Sequence, residues 1–263
     1  MRIEVAYTQH VGKNLRHRGQ QDALWHGRQV LQANNVASAG YTADKAVITV
    51  AVADGVSISP SPEQASRRVL DWLAGEIAFG ATFDIGTVRR IHGQLCDALG
   101  KGKTRGAATT LAAAQFTAQS CAVLNVGDSR VYRITAGGDW QQLSRDHTLL
   151  NVMIERGEAR AEQQYASIYD CLDSCLVADD EETDFAVHRF EVPAQVGDQF
   201  LLCTDGVYGS LSAGELERLT EPSASTVVQV KQWRKAVLAA GAPDNLSMVL
   251  VRIIDNGTQR ANA

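Results

Sequence analysis

The sequence predicts an α+β domain in which antiparallel sheets carry helices on their outer faces. Strand-like runs follow one another through short polar links and not through helical crossovers, which favours antiparallel pairing. Amphipathic helical patterns come in groups, one pair before residue 100 and others after residue 212, instead of alternating with every strand. No repeat of 20–50 residues and no linker divides the chain. A single domain over 1–255 with a tail at 256–263 is therefore expected.

Residues 3–9 alternate weakly and read as a strand. The basic segment 13–18 follows, then strand candidates at 23–26 and 28–32. The stretch 34–44 is small and polar and reads as a loop. Residues 46–53 form an uncharged, β-branched run that stops at Asp54-Gly55, the mark of a buried strand closed by a turn. Ser57-Ile-Ser-Pro-Ser-Pro62 is a loop with proline at a helix start. A helix over 63–79 places Ala65, Val69, Trp72, Leu73 and Ile77 at helical spacing. A second, over 85–99, aligns Ile85, Val88, Ile91, Leu95 and Leu99.

Beyond residue 107 the chain turns strand-like, at 107–117, 121–128 and 130–135, with Gly137-Gly138 a hairpin before 140–143. A helix is expected at 146–157. Residues 158–184 are polar and irregular, with acids at 179–182, and read as a flap or a surface insertion. Strands at 185–192 and 200–204 follow. Ser212 and Glu215 form a capping box for a short helix at 212–219. A longer helix at 225–240 and a last strand at 246–254 complete the domain.

Composition narrows the function classes. A formal charge of −5 leaves no basic footprint for nucleic acid. No apolar run reaches the 18 residues of a membrane span, and residues 1–10 lack the basic start and apolar core of a secretory signal. Five cysteines, an odd number, fit a reduced, cytoplasmic protein; a monomer is expected. Cys171 and Cys175 could form half of a zinc site, but no second pair has matching spacing. Gly102-Lys103-Thr104 fails as a nucleotide-binding loop, because the glycine needed five positions earlier is Asp97.

The informative residues are five acids: Asp22, Asp54, Asp128, Asp205 and Asp244. Each stands at a strand edge or in a tight polar turn. Singly, each reads as a turn residue or cap. Together they point to one metal site assembled from distant sequence. Carboxylates with few His or Cys companions favour hard divalent ions such as Mg²⁺ or Mn²⁺.

These acids sit in ordered motifs: Ala51-Val-Ala-Asp-Gly55, Leu124-Asn-Val-Gly-Asp-Ser-Arg-Val-Tyr132, Leu143-Ser-Arg-Asp-His147, Leu201-Leu-Cys-Thr-Asp-Gly206 and Pro243-Asp-Asn-Leu-Ser-Met-Val249. The series resembles the metal-dependent serine/threonine protein phosphatases of type 2C, in their bacterial branch, over residues 5–254. The resemblance implies a β-sandwich of two antiparallel sheets flanked by helices. It also implies hydrolysis of phosphoserine and phosphothreonine by a hydroxide held between two Mn²⁺ or Mg²⁺ ions. Asp22 would ligate one ion, Asp54 would bridge the pair, the Gly55 carbonyl would complete a site, and Asp205 and Asp244 would hold the other side. Asp128 and Asp205 match acids that contact a third, weaker ion near a flap, here residues 158–184.

Two departures stand out. Where the family has a phosphate-binding arginine ahead of the first acid, this chain has His17 between Arg16 and Arg18. Arg18 is expected to serve, with Arg16 as the alternative, because guanidinium grips phosphate bidentately. After Asp54-Gly55 the chain continues Val-Ser-Ile-Ser-Pro where many bacterial members are glycine-rich. Val56 carries no proton for a leaving group. His147 is expected to be structural. A phosphorylated protein is the implied substrate, with a cognate serine/threonine kinase as partner by analogy. Two other readings stay open: a catalytically silent domain that binds a phosphoprotein, and a phosphatase of small molecules.

Overall fold

The computed structural model describes residues 1–14, 19–160, 163, 165–179 and 184–257. In chain order it forms strands β1 (Arg2–His10), β2 (Ala23–Trp25), β3 (Val30–Leu31), β4 (Asn35–Asp44) and β5 (Ile48–Ala53). Helices α1 (Pro62–Ala78) and α2 (Ile85–Leu99) come next. Then follow β6 (Ala108–Thr109), β7 (Leu111–Phe116), β8 (Ser120–Val126), β9 (Arg130–Ile134) and β10 (Trp140–Gln142). Helix α3 (Leu149–Glu155) precedes β11 (Leu176–Val177), β12 (His188–Pro193) and β13 (Gln199–Cys203). The chain ends through α4 (Asp205–Tyr208), α5 (Ala213–Arg218), α6 (Thr226–Ala239) and β14 (Leu246–Asp255).

Two six-stranded antiparallel sheets result. One has the order β10-β9-β13-β14-β1-β4, the other β12-β8-β7-β5-β2-β3, and β11 pairs with β6 in a small separate ribbon. The sheets pack face to face through Val5, Val50, Val52, Phe116, Phe200 and Val251, all fully buried. A second core lies between the β5 sheet and helices α1 and α2, where Val69, Leu73, Ile91 and Leu95 meet Ala51 and Ala113. A third lies under α6, with Trp233 and Val237 against Leu250 and Met248. The architecture is a sandwich with helices outside both sheets, as expected.

The central position of β5 explains its composition. Its six residues are buried on both faces, one against the partner sheet and one against α1. A strand covered on both sides reads as a continuous apolar run rather than an alternating one. Full burial of each Val or Ile stabilises by about 1.5–3 kcal/mol relative to exposure.

One expectation is overturned. Residues 34–44 are not a loop but the ten-residue strand β4, paired to β1 alone at the rim of the sheet. An edge strand with one face half open to solvent takes small and polar residues, so its composition imitates a loop. The remaining boundaries move little. The helix expected at 146–157 narrows to α3, and the strand expected at 107–117 breaks into β6 and β7. The predicted capping box at Ser212 and Glu215 is present. No helix among the described residues is long and apolar enough to cross a membrane.

Candidate active site

Strand β5 ends at Asp54, and the neighbouring backbone holds that residue in place. Its N–H donates to Thr110 Oγ1 (3.0 Å), while its carbonyl accepts from the Thr110 N–H and Thr109 Oγ1, both at 2.8 Å. The next residue has to be glycine. A Cβ on Gly55 would stand 2.4 Å from the Pro62 carbonyl oxygen and 2.8 Å from that of Gln21. This close approach ties the end of β5 to the start of α1 and to the segment carrying Asp22.

Asp22 is fully buried at the head of β2. Its Oδ2 accepts from the hydroxyls of Thr204 (2.8 Å) and Ser247 (2.9 Å), which come from β13 and β14 territory in the opposite sheet. The Gln20 and Gln21 that precede it are structural. Gln20 Oε1 accepts from the Asp22 N–H at 3.1 Å, and the Gln21 N–H donates to Asn245 Oδ1 at 2.6 Å. Asn245 also donates to the Val11 carbonyl, so the Asp-Asn motif clamps the N-terminal loop beside Asp244. Gly206 completes the approach: a Cβ there would stand 1.8 Å from the Asn245 carbonyl oxygen. Only glycine lets the Asp205 and Asp244 segments touch.

Asp128 follows the β8–β9 turn. Tyr208 donates its hydroxyl to both the carbonyl and Oδ2 of Asp128, at 3.0 and 3.1 Å. Arg130 lies over the Tyr208 ring at 3.7 Å and pairs bidentately with Asp146. Asp54, Asp128, Asp205 and Asp244 line one cavity of about 420 Å³. Asp170, Cys171, Leu172 and Cys175, from the segment expected as a flap, line the same cavity.

The electrostatics are those of a site short of positive charge. Burial, with the charge of Asp205 next, pushes Asp22 up to about 8. Burial and then Asp205 push Asp128 up to about 7. Asp54 is raised well above the carboxylate range by burial, then by Asp22 and Asp205, and Asp205 is itself raised by burial. Like-charged carboxyls at close quarters cannot all ionise without a cation. Asp22 Oδ1 and Asp205 Oδ1 are buried with no hydrogen-bond partner. Unpaired buried carboxylate oxygens are costly unless something binds them. Among the described residues no three His, Cys, Asp or Glu side chains form a ready-made cage. Hard divalent ions keep several waters and need few direct carboxylates, so the donor set fits them.

The family model for protein phosphatase 2C matches residues 37–250. The chain belongs to the protein phosphatase 2C family. Among its relatives is the serine/threonine phosphatase stp of Listeria innocua, 30% identical over 146 residues. That match covers 56% of this chain and 57% of the relative, so the chain spans little more than half the length of that protein. The fold is that of the Mycobacterium tuberculosis serine/threonine phosphatase PstP/Ppp (TM-score 0.74, 19% identity, 97% of this chain and 100% of that one). It is also that of the PstP catalytic domain solved with two manganese ions (TM-score 0.71, 20% identity, 96% and 100%).

Within this protein phosphatase 2C chain, the structure brings Asp22, Asp54, Gly55, Asp128, Asp205 and Asp244 into one neighbourhood. Arg18 and Arg16 lie outside the described residues, as do 161, 162, 164 and 180–183 of the expected flap and 258–263 of the tail. His147 is buried and structural: its Nδ1 accepts from the Gly127 N–H at 3.0 Å. Sequence reasoning gave no role to Thr110, Thr204, Tyr208 or Ser247. Thr204 and Ser247 stand in the Thr-Asp-Gly and Asp-Asn-Leu-Ser motifs, but the acid they bond is Asp22, 182 and 225 positions away.

Proposed function

We propose that this chain is a metal-dependent phosphatase that removes phosphate from phosphoserine and phosphothreonine in proteins. The observation that carries this reading is the meeting of five aspartates from distant sequence, with buried, unbonded oxygens on Asp22 and Asp205. Asp22 and the Gly55 carbonyl would hold one Mn²⁺ or Mg²⁺ ion, Asp205 and Asp244 a second, and Asp54 would bridge them. Asp128 with Asp205 would hold a third. Ions held there would supply an acidic water and offset the negative charge of a phosphoryl group.

The chain's own residues orient this chemistry. Thr204 and Ser247 fix the Asp22 carboxylate, and Tyr208 fixes Asp128. Thr110 and Thr109 hold the backbone of Asp54. Val56 lines the cavity without a proton to give, so the leaving alkoxide would take its proton from water or another residue. Cys175 also lines the cavity, but burial pushes its thiol up to about 11, so it is protonated and a poor nucleophile at neutral pH. Arg18, or Arg16 in its place, is the proposed phosphate grip. A serine/threonine kinase is the expected partner, in a reducing compartment that keeps the five thiols free.

The test is Mn²⁺-dependent phosphate release from phosphothreonine peptides by purified protein, with chelator as control. Turnover is expected, and Arg18→Ala should chiefly raise KM. No turnover with phosphopeptide binding intact would falsify the enzyme reading and leave a silent binding domain. Turnover of small phosphate esters alone would reassign the substrate.

A further inference from the structure

Ile58 is 97% exposed, and it lines the same cavity as Asp54, Asp205 and Asp244. It occupies the second corner of a tight turn, in which the Ser59 N–H donates to the Val56 carbonyl at 2.8 Å. Turn corners ordinarily take Gly, Asn, Asp or Ser, and a β-branched apolar residue is the opposite choice. The turn is held on both sides. The Val56 N–H donates to the Ala108 carbonyl (2.9 Å), the Ala108 N–H to Ser59 Oγ (3.0 Å), and Ser57 Oγ to Gln21 Oε1 (2.8 Å). A side chain so anchored cannot fold back onto the core, so water meets almost all of its surface.

Leu172 lines the same cavity, half-buried. It too is tied down: its backbone bridges Thr148, and the adjoining Asp173 N–H donates to the His147 carbonyl at 2.9 Å. Val56, Ile58 and Leu172 thus add apolar surface to a cavity that the acids also line. Scattered exposed apolar residues need no explanation, and Phe79, 94% exposed at the end of α1, lines no cavity with the acids. Ile58 differs because it lines the cavity that the acids line, on a turn whose neighbours are hydrogen-bonded in place.

We propose that Ile58, with Leu172, selects phosphopeptides that carry an apolar side chain two positions from the phosphorylated residue. This rests on the phosphatase reading above. In an extended peptide side chains alternate between faces with a rise of about 3.3–3.4 Å per residue, so with the phosphate over the acids the side chain two positions away shares its face, about 6.6–6.8 Å along, and can meet Ile58. An apolar side chain there buries Ile58 on binding, whereas an acidic one meets a cavity lined by carboxylates.

The experiment measures kcat/KM, with Mn²⁺, on peptides with leucine two positions to either side of the phosphothreonine and on the same peptides with serine at those positions. Wild-type protein should favour the leucine set by about tenfold, through KM, the scale expected for partial burial of one aliphatic side chain. Ile58→Ser should bring the ratio close to one, and Ile58→Leu should restore it. Since Ile58 is almost wholly exposed, neither change disturbs the core. Equal rates on both sets, or a preference that survives Ile58→Ser, would overturn the assignment of Ile58 and leave the phosphatase standing. No turnover of either set would overturn the phosphatase reading itself.

Discussion

Thr204 and Asp22, 182 positions apart, meet through a 2.8 Å hydrogen bond from the Thr204 hydroxyl to Asp22 Oδ2. The same hydroxyl accepts from the Ser247 N–H at 3.0 Å, so one side chain joins both sheets at the acid cluster. Groups that orient a ligating carboxylate typically contribute 10–100-fold to metal affinity or activity. Thr204→Val should therefore raise the Mn²⁺ concentration for half-maximal activity by about tenfold. An unchanged metal titration would remove Thr204 from that role.

Asp54→Ala and Asp205→Ala should each lower metal-dependent turnover by more than about 100-fold. The chelated variants should melt no lower than wild type, because each change relieves repulsion among buried carboxyls. Near wild-type rates at saturating Mn²⁺ in either variant would sink the assignment of these acids.

Gly55→Ala tests the close approach at the end of β5. The new Cβ must displace backbone at Pro62 or Gln21, and overpacking of this kind costs about 1–3 kcal/mol. A lower Tm together with weaker Mn²⁺ dependence is expected. A variant that melts like wild type would show that the segments separate freely.

His147 makes a pH prediction. Burial, with Arg145 next, lowers it to about 4 in the fold, against 6.5 ordinarily. The unfolded chain therefore binds a proton below about pH 6.5 while the folded chain does not, so His147 costs stability as pH falls from there towards 4. His147→Gln should lose part of the acid-side decline in Tm between pH 7 and 5. Parallel Tm curves for the two proteins would count against a neutral His147 accepting from Gly127.

What the residues determine alone is local: the buried run of β5, the stripes of α1 and α2, the capping box at Ser212, and the acids at strand ends. Periodicity and turn chemistry depend on near neighbours, so they can be read along the chain. Ordered motifs carried the family resemblance and with it the five acids. Tertiary structure decided the rest. Strand β4 was hidden because its polar pattern is set by an edge position, which exists only once β1 pairs beside it. The hydroxyls of Thr204 and Ser247 acquire a role only where β13 and β14 bring them to Asp22, and Ile58 becomes unusual only when its exposure is known. Such contacts depend on distance in space, and residues 182 or 225 positions apart give no local signal of them.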